Sequence, residues 1–416
     1  MSMAHNNYSG ALVLLSMLMM GCGGGGDDAG DAAPPRAAAD PGSGPATTAA
    51  STTVVAAGAT SYPVLNQAGN PVYSEIARYT SWLSKDSDPA AALAADKLKA
   101  DNIVSWQMSH GGFYKLPAWY AARWNGTAPR SEWFGANKVE LGTIDNDGTV
   151  TEIMFLANVF GRTGNVAYRD SARRAVDFLL GMQAASGGFP QVYPARTGTS
   201  YSNHITFNDN AMVRALVLLD HGAQQKAPLA GDFLTATQRT AMKKAVERAV
   251  GYILKAQIVQ NGVKTVWCAQ HDPVNFAPLG ARSYELPSKS GKESAQIVAF
   301  LLTRPQSPAV VNSVKAAIAW YKSAAVQLKD TAYEKTNSKA TGTSPFIYKA
   351  GSATWYRFYD LTADTGFFSG RLPTDNPPGT GKQYDIMNVE AERRYGYEWG
   401  GNYGTTLFNY ASKVGY

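Results

Sequence analysis

Apolar residues recur at helical spacing through most of the chain, and the pattern repeats. The segments "IVSWQMSHGGF" (103–113), "FLLGMQAASGGF" (178–189) and "YILKAQIVQNGV" (252–263) each carry an apolar helical stretch into a glutamine: Gln107, Gln183 and Gln257. A glycine follows five positions later in each, Gly112, Gly188 and Gly262, and the glutamines lie 76 and 74 residues apart. A loop and a second apolar helical run then follow: "TEIMFLANVF", "AMVRALVLLD" and "ESAQIVAFLL". A fixed period with helical content marks a supersecondary unit that buries its face against its neighbours. Two helices per period, three periods and no sustained period-two alternation predict an all-α fold. The expected arrangement is an (α/α)3 toroid with long irregular loops forming a substrate cleft.

The loops ahead of the second helices hold the first candidate chemistry. In "TIDNDGTVTEI" (143–153), Asp145, Asn146 and Asp147 precede Gly148 in a pattern that invites comparison with an EF-hand. With Gly148 at loop position 6, position 1 is Thr143 and position 12 is Met154, so the calcium cage of that motif cannot close. Thr149-Val150-Thr151-Glu152 reads instead as a capping box on the following helix. The next unit has "FNDNAM", which places Asp209-Asn210 where the first has Asp145-Asn146. Helix caps need not recur as Asp-Asn, so the coincidence points to one site fed by two adjacent units.

The N-terminus changes the picture of where the protein works. Residues 1–22 contain no Asp, Glu, Lys or Arg and carry the apolar run "ALVLLSMLMMGC", short of the ~20 residues a membrane span needs. They read as a signal peptide, and Met20-Gly21-Cys22 with Leu18 four positions before the cysteine resembles a bacterial lipoprotein box. Export is expected, with Cys22 lipidated on the outer membrane or the chain secreted. Residues 23–60 are Gly, Ala, Asp, Pro, Ser and Thr with almost no bulky apolar side chain, and read as a disordered tether. Residues 61–416 are expected to form one catalytic domain and a monomer. The tether holds four Asp against one Arg, so the formal +6 of the chain becomes +9 over residues 61–416. A basic exported domain suits an acidic polysaccharide better than nucleic acid.

Seven motifs then narrow the reading. "SGGFPQVYP" (186–194), "HITFNDNAM" (204–212), "WCAQHDP" (267–273), "ARSYELPSKSGKES" (281–294), "WYRFYDL" (355–361), "FFSGR" (367–371) and "ERRYGYEWGG" (392–401), together with "TIDNDGTVTEI", resemble the pectate lyases of polysaccharide lyase family 10. The resemblance runs in order over roughly residues 90–400. It implies calcium-dependent β-elimination of polygalacturonate. It also implies that Asp145 and Asp209 hold Ca2+ together with substrate, that Arg371 is the base, and that Arg282 and Arg357 bind galacturonate. Asn146, adjacent to this set, is assigned to sugar or calcium. Phe189 stands where the family pattern has Trp, which bears on subsite contacts and not on the reaction.

The residue types suit that chemistry. The C5 proton of a uronate is weakly acidic because its removal puts charge beside a carboxylate, and a bound cation relieves this. Calcium accepts many oxygen ligands in loose geometry, so two aspartates can share it with sugar and water. Arginines add bidentate recognition of carboxylates, although an arginine that acts as a base must first lose a proton that it effectively always keeps. Other readings are an inverting glycosidase using the two aspartates, with carboxyls ~6.5–9.5 Å apart, a non-catalytic pectin-binding protein, and a terpenoid cyclase, whose toroids carry similar Gln/Gly repeats. The arginine set has no role in a glycosidase, and the basic charge does not suit a cyclase. His204 and His271 lie in motifs without zinc spacing and read as hydrogen-bonding residues, and Cys268 reads as a small buried hydrophobe. No P-loop or dinucleotide fingerprint is present.

Overall fold

The structure is a computed structural model that describes residues 79–371 and 378–416. The expected signal peptide, Cys22 and the tether lie outside the described residues. Eleven α-helices are present among those described: α1 Tyr79–Trp82, α2 Pro89–Trp106, α3 Val150–Thr163, α4 Val166–Met182, α5 Ala211–Ala223, α6 Ala236–Ala256, α7 Glu293–Leu302, α8 Pro308–Lys322, α9 Lys335–Thr341, α10 Ala391–Gly396 and α11 Tyr403–Lys413. They form two rows. The inner row is α3, α5 and α7, with α11 packed on α7. The outer row is α2, α4, α6 and α8. The inner helices are apolar nearly all round, and α7 is buried at every position from Glu293 to Leu302, as expected of a helix enclosed by others.

The glutamine repeat is the bolt of the outer row. Gln107 Nε2 donates to the carbonyls of Gly111 (2.8 Å) and of Ser171 on α4 (2.9 Å). Gln183 Nε2 donates to Gly187 (2.8 Å) and to Ala245 on α6 (2.8 Å). Gln257 Nε2 donates to Thr265 (2.9 Å) and to Ser313 on α8 (3.0 Å). Each side-chain amide thus ties the end of one outer helix to the backbone of the next. The acceptor oxygen is served by Arg174 in the first unit and by Arg248 in the second. Ala316 occupies the corresponding place in the third, and Gln257 Oε1 is buried with no partner among the described residues.

The glycines four residues after the first two glutamines, one position ahead of Gly112 and Gly188, are tightly placed, and the third unit has Asn261 at that position. Gly111 (φ +94°) and Gly187 (φ +103°) lie so close to the neighbouring outer helix that a Cβ would sit 2.3 Å from the carbonyl oxygen of Arg174 and 2.4 Å from that of Arg248. Gly262 (φ +78°), with Asn261 (φ +51°), instead turns the tight hairpin Val259–Gln260/Val263–Lys264, where Asn-Gly is the favoured pair. Gly187→Ala is therefore expected to lower stability by at least about 2 kcal/mol through strain and collision. Gly262→Ala meets no atom within 4 Å and loses less. Paired thermal melts of the two variants check this.

The expectation of an all-α (α/α)3 toroid is overturned. The structure is mixed, with several small antiparallel sheets beside the helices. Most strands are two residues long, such as Gly142–Thr143 with Val192–Tyr193 and Ile205–Thr206 with Gln270–His271. The largest pairing joins Leu328–Tyr333 to Phe346–Tyr356 across a register shift between Tyr348 and Ala353. Two-residue strands cannot display alternation, and the shift breaks it in the long hairpin.

Candidate active site

Short strands fix the two aspartate loops. The Asp145 loop is pinned by Gln191 of "SGGFPQVYP", whose carbonyl accepts from Ile144 N–H (3.2 Å) and Thr143 Oγ1 (2.7 Å). The Asp209 loop is pinned by "WCAQHDP", where the carbonyl of Ala269 accepts from Phe207 N–H (2.8 Å) and Asn208 N–H (3.0 Å). Beneath it, His271 accepts the Cys268 N–H at Nε2 (2.9 Å), which leaves Nδ1–H to donate to the carbonyl of Phe276 (2.8 Å). Burial pushes the His271 pKa down to about 4, so the ring is neutral and structural. Cys268 is a buried free thiol, as expected.

The two loops match each other one residue out of step from the sequence expectation. Positive φ falls at Asn146 (49°) and Asp147 (67°) in the first, and at Asp209 (51°) and Asn210 (64°) in the second. Asp145 therefore corresponds in backbone geometry to Asn208, and Asn146 to Asp209. The loops are neighbours all the same. Arg214, in the first turn of α5, forms a buried ion pair with Asp147, which sets the Asp145 loop against the helix that the Asp209 loop begins.

The expected capping box at 149–152 forms only in part. Thr149 adopts φ 66°, and its hydroxyl donates to the carbonyl of Thr143 (2.9 Å) and does not cap α3. Glu152 is buried and accepts from Tyr120 Oη (2.8 Å). Burial pushes its carboxyl up to about 7, against the opposing effects of Tyr120, the backbone N–H groups of Glu152 and Thr149, and Lys99. The folded chain thus keeps a proton that the unfolded chain releases above about 4.5, and stability is lost as pH rises from there to about 7. Glu152→Gln is expected to remove that loss, gaining up to about 3 kcal/mol on the wild type between pH 4.5 and 7. Melts of both proteins across that range isolate the effect, since His221 and His271, each pushed down to about 4, act in the opposite direction in both.

Cations surround both aspartates. Asp145, 7% exposed, is 2.5 Å from Lys115 Nζ. Asp209 lies 3.5 Å from Lys292 and 3.4 Å from Arg357, and Asn208 Nδ2 donates to its other oxygen (2.9 Å). Arg357 is buried. It donates to Glu293 (2.6 Å) and to Asn208 Oδ1 (2.9 Å), and lies 4.4 Å over the ring of Tyr397. Burial opposes its charge, and Glu293, Tyr397, Asp209 and Glu285 outweigh burial and hold it protonated.

Arg282 and Arg371 meet elsewhere in the same neighbourhood. Arg282 grips Glu285 with Nε at 2.8 Å and Nη2 at 2.5 Å, which raises its pKa despite partial burial. Arg371 has a side chain 48% exposed, 3.4 Å from Glu392, and its N–H donates to Glu390 (2.5 Å). Both guanidiniums flank Tyr284, at 4.7 and 4.8 Å, with Arg393 at 4.8 Å. Tyr201, partly buried, lies within electrostatic reach of Arg282, Glu285, Asp145 and Arg196, and burial pushes its phenol pKa up. Asn146 is exposed at the loop tip. Sequence reading passed over Lys115, Lys292, Glu293 and Arg393. All but Lys115 stand inside quoted motifs.

The donor set suits a hard cation shared with substrate. Asp145 and Asp209 offer carboxylate oxygens on adjacent loops, and the Asn210 amide is buried with neither atom partnered among the described residues. No cluster of three His, Cys, Asp or Glu side chains is present among the described residues. A calcium ion held here would take only part of its shell from the chain, and substrate and water would have to complete it.

These features are those of a polysaccharide-cleaving enzyme with a cationic site. The chain belongs to the pectic acid lyase family, which matches residues 107–408. It is similar to the family 10 polysaccharide lyase from Cellvibrio cellulosa, with 40% identity over 86% of this chain and 99% of that one, at a TM-score of 0.70. A mutant of that lyase in complex with trigalacturonic acid is 41% identical over 85% of this chain and 100% of that one, with the same TM-score. No curated protein matches the chain.

Proposed function

We propose that this pectate lyase cleaves polygalacturonate by calcium-dependent β-elimination, releasing unsaturated oligogalacturonides. The observation that carries the reading is the convergence of Lys115, Lys292 and Arg357 on two aspartates of adjacent loops, with a further group of arginines nearby. Calcium, held by Asp145 and Asp209, would neutralise the substrate carboxylate next to C5. Lys115, Lys292 and Arg357 exchange their aspartate partners for substrate carboxylates, and Arg357 is preset for this by Glu293 and Asn208. An arginine side chain that has first given its proton to water takes the C5 proton, the C4–C5 double bond forms, the C4–O bond breaks, and the leaving oxygen is protonated from water.

The motif match gives the base role to Arg371, the arginine least held by carboxylates. A second reading gives it to Arg282, favoured by Tyr201, which lies within electrostatic reach of both Arg282 and Asp145. Geometry ranks ahead of proton affinity in such assignments. Deuterium wash-in at C5 and elimination rates of Arg371→Lys and Arg282→Lys separate the two. The base variant loses both exchange and elimination, and the other loses chiefly substrate affinity. Full exchange and turnover in both variants would sink both readings. Export with lipid on Cys22 is proposed from the N-terminal sequence alone, and radiolabelled lipid incorporation abolished by Cys22→Ala would test it.

A further inference from the structure

The arginines of the site are not held by carboxylates alone. Tyr284 is fully buried, and the guanidinium carbons of Arg282, Arg371 and Arg393 lie 4.7, 4.8 and 4.8 Å from its ring centre. All three fall within the ~6 Å over which a cation is drawn to a ring. A second ring completes the arrangement. Tyr397 meets Tyr284 edge-on at 5.3 Å and 76°, carries Arg357 at 4.4 Å, and donates its hydroxyl to Glu285 (2.8 Å), the partner of Arg282. Two tyrosines at nearly right angles thus touch or steer every arginine the motifs single out, and a fourth, Arg393, that they did not.

We propose that Tyr284 is a positioning residue for the elimination, its ring fixing Arg282 and Arg371 against one another in the orientation the reaction needs. The inference rests on the lyase reading and holds whichever of the two arginines takes the proton. A ring differs from a carboxylate in one respect that matters here. It attracts a guanidinium without offering an acceptor for its proton, so it fixes the group's place without fixing its protonation as firmly. Three cations around one point also repel, and the ring offsets part of that repulsion. Burial raises the phenol's own pKa even though Arg282, Arg393 and Arg371 oppose this, so the ring stays neutral. The hydroxyl of Tyr284 has no partner among the described residues, which leaves the ring as the working part.

The test compares Tyr284→Phe with Tyr284→Leu in the full chain, assayed with polygalacturonate and calcium. Phe keeps the ring and is expected to retain kcat within about threefold of the wild type. Leu is expected to lose about 10- to 100-fold in kcat, the range that misplacement of a reacting group by an ångström produces, and to raise KM as well, since the arginine that is not the base binds substrate. Thermal melts confirm that both variants fold, and Tyr284→Met replaces Leu if Leu does not. Rescue by Phe separates a ring that positions cations from a side chain that merely fills space, since Leu and Met fill much of the same volume. Wild-type kcat in the Leu or Met variant overturns the proposal, and so does a Phe variant as impaired as Leu, which would assign the role to the hydroxyl. A wild-type protein that releases no unsaturated product fails the lyase reading itself, and the positioning role falls with it.

Discussion

Arg357→Ala should lower stability by about 3–5 kcal/mol and abolish turnover, the largest combined effect expected of any single change in the site. The reason is Glu293. Its side chain is 0% exposed and lies 2.6 Å from Arg357, itself 2% exposed. Removing the guanidinium leaves a carboxylate buried at the start of α7 with only Ser290 and the Asp209 N–H, among the described residues, to donate to it. Asp209 loses a cation at the same time. Arg357→Lys is expected to recover part of the stability and little of the activity, since an ammonium lacks the planar group that lies over Tyr397 while its nitrogen meets Glu293 and Asn208. Urea denaturation of Arg357→Ala, Glu293→Gln and the double variant checks the account. The double variant should be more stable than the sum of the single losses predicts, because it leaves no unpaired charge.

The second large effect belongs to the aspartates. Asp145→Asn and Asp209→Asn should each lower kcat/KM on polygalacturonate by about 10²–10³, the range for losing one preorganised charge-stabilising group. Both should stay folded. The substitutions conserve shape, and the cations they leave behind are not all trapped. Lys115 is 21% exposed, and Lys292 keeps Glu398 at 2.9 Å. Raising the calcium concentration should recover part of the activity in each if these carboxylates hold the ion. Saturation curves in calcium for wild type and both variants measure this. An unchanged calcium requirement in both variants would remove the aspartates from the metal site.

What could be read from the sequence follows from what repeats. The helix pairs and the loops before α3 and α5 were legible because Gln107, Gln183 and Gln257 each donate to a backbone carbonyl of the next outer helix, and identical tasks leave identical letters. The third glycine misled, since Gly262 turns a hairpin and does not face a neighbouring helix. The small sheets left no trace because two residues cannot alternate. At the site, Asp145 and Asp209 stood out as an Asp-Asn coincidence, but the positive-φ doublets align Asp145 with Asn208, a shift that backbone geometry reveals and residue identity does not. Lys115 was invisible because nothing near it in sequence announces a charge, and it meets Asp145 only through the fold. Arg393 lay in plain sight beside Arg394. Its partners Tyr284 and Tyr397 are what distinguish it.

The most direct measurement follows the ultraviolet absorbance of unsaturated uronate ends during incubation with polygalacturonate, with calcium and with chelator, beside a reducing-end assay on the same samples. The account predicts absorbance and reducing ends rising together with calcium, neither rising in chelator, and both returning when calcium is restored. Reducing ends appearing without the absorbance would mean hydrolysis and contradict it, and so would unsaturated product formed at the full rate in chelator.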